Sequence, residues 1–193
     1  MSSGVDVDRV EIGQKIVRHS QRLETMVTDI LDLAKLGSNR FQFNIASYDL
    51  SSQLRELSDG WKLLGNEVGI QLEVAAPVNA QVTADPVRVA QILDNLVGNA
   101  LKFARARIAV SLVSDGSWIN VRVADDGPGI KPENVERVFD SYYSLSAHGD
   151  SSASGSGLGL AVAKQLATRM GGSLQVESTT SSGSTMLLLL QIV

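Results

Sequence analysis

The sequence predicts an α+β fold, in which helices form one layer of a two-layer sandwich on a mixed, largely antiparallel sheet, preceded by one long helix. Two observations carry this prediction. From Ile12 to Leu33 the apolar residues recur at helical spacing, whereas after Gly37 short alternating stretches typical of strands are mixed with amphipathic helices. The 193 residues, 44% hydrophobic and 20% charged, suit one globular domain with an appendage.

The first predicted element is a helix with one apolar seam, for which Gly37 is a suitable end. Steps of four and three residues separate the seam positions, which are Ile12, Ile16, His19, Leu23, Met26, Ile30 and Leu33. One helix cannot bury such a seam, so we expect partner helices and a weak homodimer. The alternative is that the helix packs on its own domain. The polar residues 37–40 predict a boundary between residues 1–37 and a second domain, residues 41–193.

The second domain mixes strands and helices. The predicted strands cover residues 41–46, 70–74, 81–83, 107–113, 118–124, 174–177 and 185–193, and the predicted helices cover residues 48–64, 85–103 and 157–170. The helix that ends near Phe103 has the clearest start, because Asp85 can cap it and Pro86 suits its first position. Between Ser141 and Ser156 a Ser/Gly-rich stretch without apolar periodicity predicts a lid or a disordered segment.

Composition excludes several classes of protein. The sequence has no cysteine, so it can form neither disulfides nor thiolate metal sites. Its longest apolar run, residues 186–190, is far shorter than the roughly 20 residues that span a bilayer, and the polar N-terminus does not resemble a signal peptide. We therefore expect a cytoplasmic chain without membrane contact of its own. A formal charge of −4 argues against nucleic acid as a partner.

Three polar residues mark one face of the helix that ends near Phe103. Asn95, Asn99 and Lys102 are four and three residues apart, and so share a face opposite a core-facing apolar side. An asparagine carbonyl is a suitable ligand for Mg²⁺, which takes a few protein oxygens together with phosphates and waters. Lys102 is a flexible charge that can reach a phosphate. Alone, such a face is more often solvated surface.

Two glycine motifs follow, and each alone is weak evidence. In Asp125–Ile130 (DDGPGI, the G1 turn below) a carboxylate ends a predicted strand beside Gly127 and Gly129. Asp125 can accept the exocyclic amine of adenine but faces the O6 acceptor of guanine unfavourably, while Asp126 is expected to belong to the turn or surface. In Gly155–Leu160 (GSGLGL, the glycine loop below) backbone N–H groups enter a helix, an arrangement that binds phosphate.

These three segments, in this order, resemble the N, G1 and G2 boxes of bacterial sensor histidine kinases, and Val138–Leu145 resembles their F box. Their ATP-binding domain, of the Bergerat-type fold, belongs to the superfamily that includes gyrase, Hsp90 and MutL. The resemblance implies ATP or ADP with Mg²⁺, Asn99 as the metal ligand, and Asn95 and Lys102 near the phosphates as catalytic residues. The implied nucleotide contacts are Phe103, Asp125, Gly127, Gly129, Ile130, Tyr142, Gly155, Ser156, Gly157, Leu158 and Gly159.

The sequence departs from the family pattern in the F box. The family's F box often reads Phe-x-x-Phe-Tyr-Arg, whereas the matching positions here are Phe139, Tyr142, Tyr143 and Ser144. Residues 141–156 contain no lysine or arginine, only His148, although Arg105 and Arg107 could substitute from the other side. A degenerate kinase that holds nucleotide as a regulatory ligand is therefore a second interpretation. Another ATPase of the superfamily is a third, which the long N-terminal helix and the F box disfavour.

The resemblance also implies two partners, which are the acceptor-histidine helix of the parent kinase and the receiver domain of a response regulator. His19 lacks the neighbours of the family's acceptor, an acidic residue directly after the histidine and a proline shortly beyond it. Residues 16–36 instead resemble the second helix of the family's dimerisation hairpin. We therefore expect the acceptor helix to be missing from this chain, and the chain not to phosphorylate itself.

Overall fold

A computed structural model describes residues 3–37, 41–77, 79–143 and 156–192. Contacts within the chain divide it into two compact units, Met1–Arg40 and Phe41–Val193. In the described residues, no helix combines the length and apolar character needed to cross a membrane.

The first unit is one helix, α1 (Ser3–Leu36), closed by a hydrogen bond from the N–H of Gly37 to the carbonyl of Leu33 (2.9 Å). The predicted long helix is thus confirmed. Its described seam side chains are largely exposed in the single chain; they include Ile12, Ile16, Leu23 and Ile30, each between 47% and 62% exposed. Met26 and Leu33 of the same seam are half-exposed.

The second unit contains two sheets. Strands β1 (Ala46–Asp49) and β3 (Gln81–Ala84) form an antiparallel pair. The main sheet has the order β2-β4-β5-β7-β6. Its strands are β2 (Gln71–Ala75), β4 (Arg107–Asp115), β5 (Trp118–Asp125), β6 (Ser173–Thr180) and β7 (Gly183–Gln191). Among the strands that the structure describes in this sheet, only β2 and β4 pair in parallel, which confirms the predicted mixed, largely antiparallel sheet.

Three helices cover this sheet: α2 (Leu50–Glu67), α3 (Pro86–Phe103) and α4 (Gly159–Arg169). Alternate residues of the strands face them, as in β5, where Val121 and Val123 are buried. On the helical side the fully buried residues include Ile92 and Leu96 of α3 and Leu166 of α4. Burial of these apolar faces against each other makes the core of a two-layer sandwich, as predicted.

Aspartate caps fix where α2 and α3 begin. Asp49 accepts the N–H of Ser51 (3.0 Å) at the start of α2, and Asp85 accepts the N–H of Val87 (3.0 Å) at the start of α3. Each cap satisfies a donor that the helix itself leaves unpaired. The second oxygen of Asp85 accepts the N–H of Asn44 (2.9 Å), which ties the preceding segment to α3.

The predicted strand at residues 41–46 is wrong, because the strand covers Ala46–Asp49 instead. Its partner β3 ends at Ala84, since Asp85 and Pro86 already begin α3, and so residues 41–45 have no strand to pair with. Phe41 packs on Phe43, with ring centroids 4.8 Å apart, and lies under the guanidinium of Arg88. Helix α2 consequently begins at Leu50 instead of Tyr48, and α4 begins at Gly159 instead of Gly157.

Candidate functional site

Helix α3 presents Asn95, Asn99 and Lys102 on the face opposite its core residues. The two asparagines are half-buried and the lysine is exposed, whereas Leu93, Leu96, Val97 and Ala100 are buried. Lys102 lies in the last turn of the helix. The amphipathic pattern thus fixes which side of α3 enters the core, and leaves amides and an ammonium group on the other side.

The glycine loop begins α4 directly against this polar face. A Cβ atom at Gly159 would lie 2.8 Å from Oδ1 of Asn95, so the start of α4 lies close to the Asn95 amide, which would have to move to admit a larger residue. Leu158 is buried, and its N–H is donated to the hydroxyl of Ser156 (3.2 Å). The structure therefore brings together two motifs that are far apart in the sequence.

The F box contacts the glycine loop from its other side. The N–H of Tyr142 donates to the carbonyl of Gly157 (2.9 Å). Gly157 has φ +69°, and a Cβ there would lie 2.8 Å from the carbonyl oxygen of Tyr143. Tyr142 itself has φ +65° and a side chain that is 71% exposed, so its predicted contact with the nucleotide stays a prediction.

Two stacked cations accompany the F box. The ammonium of Lys164 lies 4.5 Å from the ring centroid of Phe139, and the guanidinium of Arg137 lies 4.7 Å from that of Tyr143. Sequence reasoning did not select either cation. The predicted site residue Gly155 lies outside the described residues, as do Ser144, His148 and most of the predicted lid Ser141–Ser156.

Asp125 is fixed at the end of β5 by two hydrogen bonds. Its Oδ1 accepts the N–H of Gly127 (2.8 Å), and its Oδ2 accepts the hydroxyl of Ser184 (2.7 Å) on β7. Each carboxylate oxygen can accept a further hydrogen bond, so the group remains able to receive an amine. Sequence reasoning missed Ser184, because only the register of β7 on β5 places it opposite Asp125.

The rest of the G1 turn is anchored to its neighbours. A Cβ at Gly127 would lie 2.6 Å from the carbonyl oxygen of Phe103, so this turn lies close to the end of α3. Gly129 has φ +75° and faces the carbonyl of Thr180. The N–H of Ile130 donates to the hydroxyl of Thr179 (2.6 Å), and that hydroxyl donates to the carbonyl of Ile130 (3.1 Å). These contacts hold the turn between α3 and β6.

Asp126 has a more specific role than the turn or surface position expected for it. Its carboxylate accepts the backbone N–H groups of Arg105 (2.8 Å) and Ala106 (3.1 Å), in the link between α3 and β4. The hydrogen bond from Ala106 is the largest cause that holds the pKa of the Asp126 carboxyl below its usual value, and the other backbone hydrogen bonds add to it. The side chains of Arg105 and Arg107 are exposed beside this link.

The oxygen ligands of this site suit a metal ion that the protein shares with phosphate and water. Within the described ranges, no cluster of three or more histidine, aspartate or glutamate side chains could hold a metal by itself. The half-buried amide of Asn99 offers one neutral oxygen on the polar face of α3. Such a site fits Mg²⁺, which commonly takes one or two protein ligands and completes its shell with phosphate oxygens and waters.

The fold, with the G1 turn and the glycine loop each in contact with α3, agrees with a known family of ATPase domains. A family model described as "Histidine kinase-, DNA gyrase B-, and HSP90-like ATPase" matches residues 84–192, which is more than half of the chain. The chain belongs to this family, and within it represents the ATP-binding catalytic domain of two-component sensor histidine kinases.

The relatives are sensor kinases. The chain is 34% identical over 171 residues to the aerobic respiration control sensor protein ArcB of Escherichia coli. The matched region covers 86% of the chain and 22% of ArcB. The chain is also 30% identical over 194 residues to the sensor-like histidine kinase SenX3 of Mycobacterium tuberculosis. This match covers 98% of the chain and 47% of SenX3. The chain thus spans between about a fifth and half of the length of these curated relatives.

Solved structures give the same result. The full-length ShkA structure in complex with AMPPNP superposes with a TM-score of 0.79 at 28% identity, covering 93% of the chain and 38% of ShkA. The catalytic domain of the histidine kinase ThkA superposes with a TM-score of 0.67 at 22% identity, covering 77% of the chain and 96% of that domain. The second comparison shows the fold alone, and confirms the predicted fold class.

Proposed function

We propose that the chain binds ATP with Mg²⁺ between the polar face of α3, the G1 turn and the glycine loop, and presents the γ-phosphoryl group to a histidine of another helix. The observation that carries this proposal is the contact of Asn95 with Gly159, because it joins a metal-ligating face to the N-terminus of a helix. Supporting it, the relative ShkA was crystallised with AMPPNP, an analogue of ATP.

Asp125 recognises the base. Its carboxylate is held by Gly127 and Ser184, so it can accept the exocyclic amine of adenine without losing either bond. Guanine presents an acceptor oxygen at that position, and two facing acceptors leave a buried polar group unpaired. The site therefore selects adenine over guanine. Gly127, Gly129 and Ile130 are proposed to border the ring from the G1 turn, which lies against the carbonyl of Phe103.

The phosphates lie at the start of α4. N–H groups of the glycine loop point out of the helix N-terminus, where the helix dipole favours negative charge. Asn99 holds the metal, while Asn95 and Lys102 orient the phosphate chain from α3. Bound Mg²⁺ supplies neutralisation of the charge that develops on the phosphates. Tyr142 and Ser156–Gly159 border the phosphate chain, and Gly155 is proposed to extend this border.

The acceptor is a histidine on the acceptor helix of the parent kinase. In the transfer, the bond from the γ-phosphorus to the oxygen bridging to ADP breaks, a bond to an imidazole nitrogen forms, and ADP leaves. His19 lacks the acceptor's neighbouring residues, so we propose that the isolated chain does not phosphorylate itself. The phosphorylated histidine would then serve the receiver domain of a response regulator.

Self-association is proposed through α1. The described seam residues of α1 are exposed apolar side chains, and a second copy of the same helix would bury them. We expect a weak homodimer through this helix.

The degenerate-kinase interpretation is favoured by one observation. Ser144 replaces the arginine that the family often carries in the F box, and residues 141–156 contain no lysine or arginine. A kinase of this kind would bind ATP but transfer its phosphoryl group poorly. Arg137, which is stacked on Tyr143, is one cation near that position.

One assay separates the two interpretations. The chain is incubated with γ-labelled ATP, with and without a separately supplied acceptor helix of a matching kinase, and acid-labile phosphate is counted. A catalytic domain labels the acceptor but not itself. Binding of ATP without labelling of a competent acceptor indicates the degenerate kinase, and a stable phosphate on His19 would contradict our placement of α1.

The contact that carries the proposal has its own test. Gly159→Ala would force a methyl group against Asn95 and should raise the Kd of ATP. Gly60→Ala is the matched control, since Gly60 lies in helix α2 with nothing within 4 Å of the added methyl. Equal ATP affinity in the two variants would show that the close approach of α3 and α4 is not part of the nucleotide site.

A further inference from the structure

We propose that Asp126 is a positioning residue, which sets the separation between the base end and the phosphate end of the nucleotide site. This inference rests on the proposed function, because it assigns the two ends of the site to the same ATP molecule. The base end is carried by Asp125 in the G1 turn, and the phosphate end by the polar face of α3. Asp126 is the residue that joins the two.

The joint consists of hydrogen bonds between the G1 turn and the link from α3 to β4. Oδ1 of Asp126 accepts the N–H groups of Arg105 (2.8 Å) and Ala106 (3.1 Å), and Oδ2 also lies 3.2 Å from the N–H of Ala106. In the opposite direction, the N–H of Asp126 donates to the carbonyl of Arg107 (3.2 Å). Two residues of the link and the first residue of β4 are therefore tied to one residue of the turn.

The location of this joint makes it relevant to the ligand. Helix α3 ends at Phe103, and the link must reach β4 at Arg107 within three residues. On the other side of the joint, Asp125 precedes Asp126 directly. A shift of the link relative to the turn would therefore move the C-terminal turn of α3, with Lys102 and Asn99, relative to Asp125.

The packing beside the joint leaves little room for a shift in one direction. The carbonyl of Phe103 already lies against Gly127, where a Cβ would be 2.6 Å away. Asp126 holds the link through a carboxylate that is ionised at neutral pH, as aspartate ordinarily is, and the backbone hydrogen bonds lower its pKa further. Hydrogen bonds to a charged acceptor are about twice as strong as those between neutral groups. The close contact of Phe103 with Gly127 and the hydrogen bonds of Asp126 together fix the separation between the G1 turn and the link.

The test compares ligands that touch one end of the site with ligands that touch both. ADP reaches from Asp125 to α3, whereas adenosine touches the base end alone. In Asp126→Ala the Kd of Mg²⁺-ADP should rise by about tenfold, and that of adenosine should stay within about threefold of the wild type. Asp126→Asn should restore part of the ADP binding, because one amide oxygen can accept both N–H groups that Oδ1 accepts now, although without the charge.

A matched control removes general destabilisation as an explanation. Asp49 also accepts backbone N–H groups, from Ser51 and Ala80, but at the start of α2. Asp49→Ala should lower the Tm without changing either Kd, when binding is measured well below both melting temperatures. If Asp126→Ala does not fold, Asp126→Ser takes its place under the same criteria.

The outcomes distinguish this inference from the proposed function. If the wild type binds ADP and Asp126→Ala binds both ligands as the wild type does, Asp126 is not a positioning residue. Equal weakening of ADP and adenosine, or equal weakening in Asp49→Ala, overturns it too. If the wild type itself binds no adenine nucleotide, the proposed function fails first, and this inference fails with it.

Discussion

The two ends of the nucleotide site are built differently. At the base end, Asp125, Asp126 and Ile130 are each held by hydrogen bonds to neighbouring elements. At the phosphate end, the described F-box residues meet the glycine loop through one hydrogen bond, from Tyr142 to Gly157, and the ring of Tyr142 is exposed. We therefore expect the proposed base end to be formed before a ligand arrives, and the contact of Tyr142 with the glycine loop, beside the proposed phosphate end, to depend more on the ligand for its order.

This difference suits the proposed reaction. A preformed base end gives selectivity without the entropy cost of ordering a loop on binding. The phosphate end must admit ATP, meet an acceptor and release ADP, and so needs a segment of lower local stability. Four predictions test whether the two ends differ in this way, in order of decreasing effect.

The largest effect is expected for a glycine at the base end. Gly129→Ala combines a left-handed φ of +75° with a collision against the carbonyl of Thr180, and should cost about 3 kcal/mol or more of unfolding free energy. Gly116→Ala is the control, since Gly116 has φ +60° but open space around it, and should cost about 1 kcal/mol. Denaturant unfolding measures both, and equal losses would mean that the G1 turn is not tightly packed.

The second effect is on base recognition. Asp125→Asn should weaken ATP and ADP binding by about 2 kcal/mol, roughly thirtyfold, because an amide cannot keep both present bonds and also accept the adenine amine. Ser184→Ala removes one support of Asp125 and should cost about 1 kcal/mol. Calorimetry measures both. Unchanged affinity in Asp125→Asn, or equal affinity of the wild type for ATP and GTP, would contradict the assignment of the base end.

The third effect concerns the metal. Asn99→Ala should chiefly reduce the gain in ATP affinity that Mg²⁺ provides, by about 1 kcal/mol, and should leave the affinity measured in excess chelator nearly unchanged. Asn66→Ala, an exposed change in α2, serves as the control. A loss of the same size with and without Mg²⁺ would indicate that Asn99 contacts the nucleotide instead of the metal.

The smallest effect is expected at the F box. Lys164→Gln removes the cation stacked on Phe139 and should lower the unfolding free energy by about 0.5 kcal/mol. Lys62→Gln is the control, at an exposed position of α2. A loss above about 2 kcal/mol would show that the F box is as firmly held as the base end, and the comparison between the ends would fail.

Local signals in the sequence were enough for much of the fold. Helix α3 was predictable because Asp85 caps it and its apolar face is regular, and the β4–β5 hairpin because its residues alternate about a glycine turn. The strand predicted at residues 41–46 was wrong, because strand formation depends on a partner. The partner β3 ends where Asp85 begins to cap α3, a limit set by pairing between distant segments.

The candidate site likewise combines features that short sequence patterns predict with features that depend on pairing between distant segments. The polar face of α3 and both glycine motifs are short patterns that the sequence displays directly. The supports of Asp125 and Asp126 depend on register instead. Ser184 is 59 residues from Asp125, and Arg105 is 21 residues from Asp126, so no local pattern links them. The motifs were therefore predictable, whereas the residues that hold them in place required the structure.

The central claim is that one adenine nucleotide contacts all three motifs, and a single NMR titration tests it most directly. Mg²⁺-ADP is added to isotope-labelled protein while the backbone amide shifts are followed. We predict that the G1 turn, Asn95–Lys102 and Ser156–Gly159 shift along one binding curve, with one Kd, while β1 and β3 do not respond. Shifts confined to one motif, or different Kd values for different motifs, would contradict a single site.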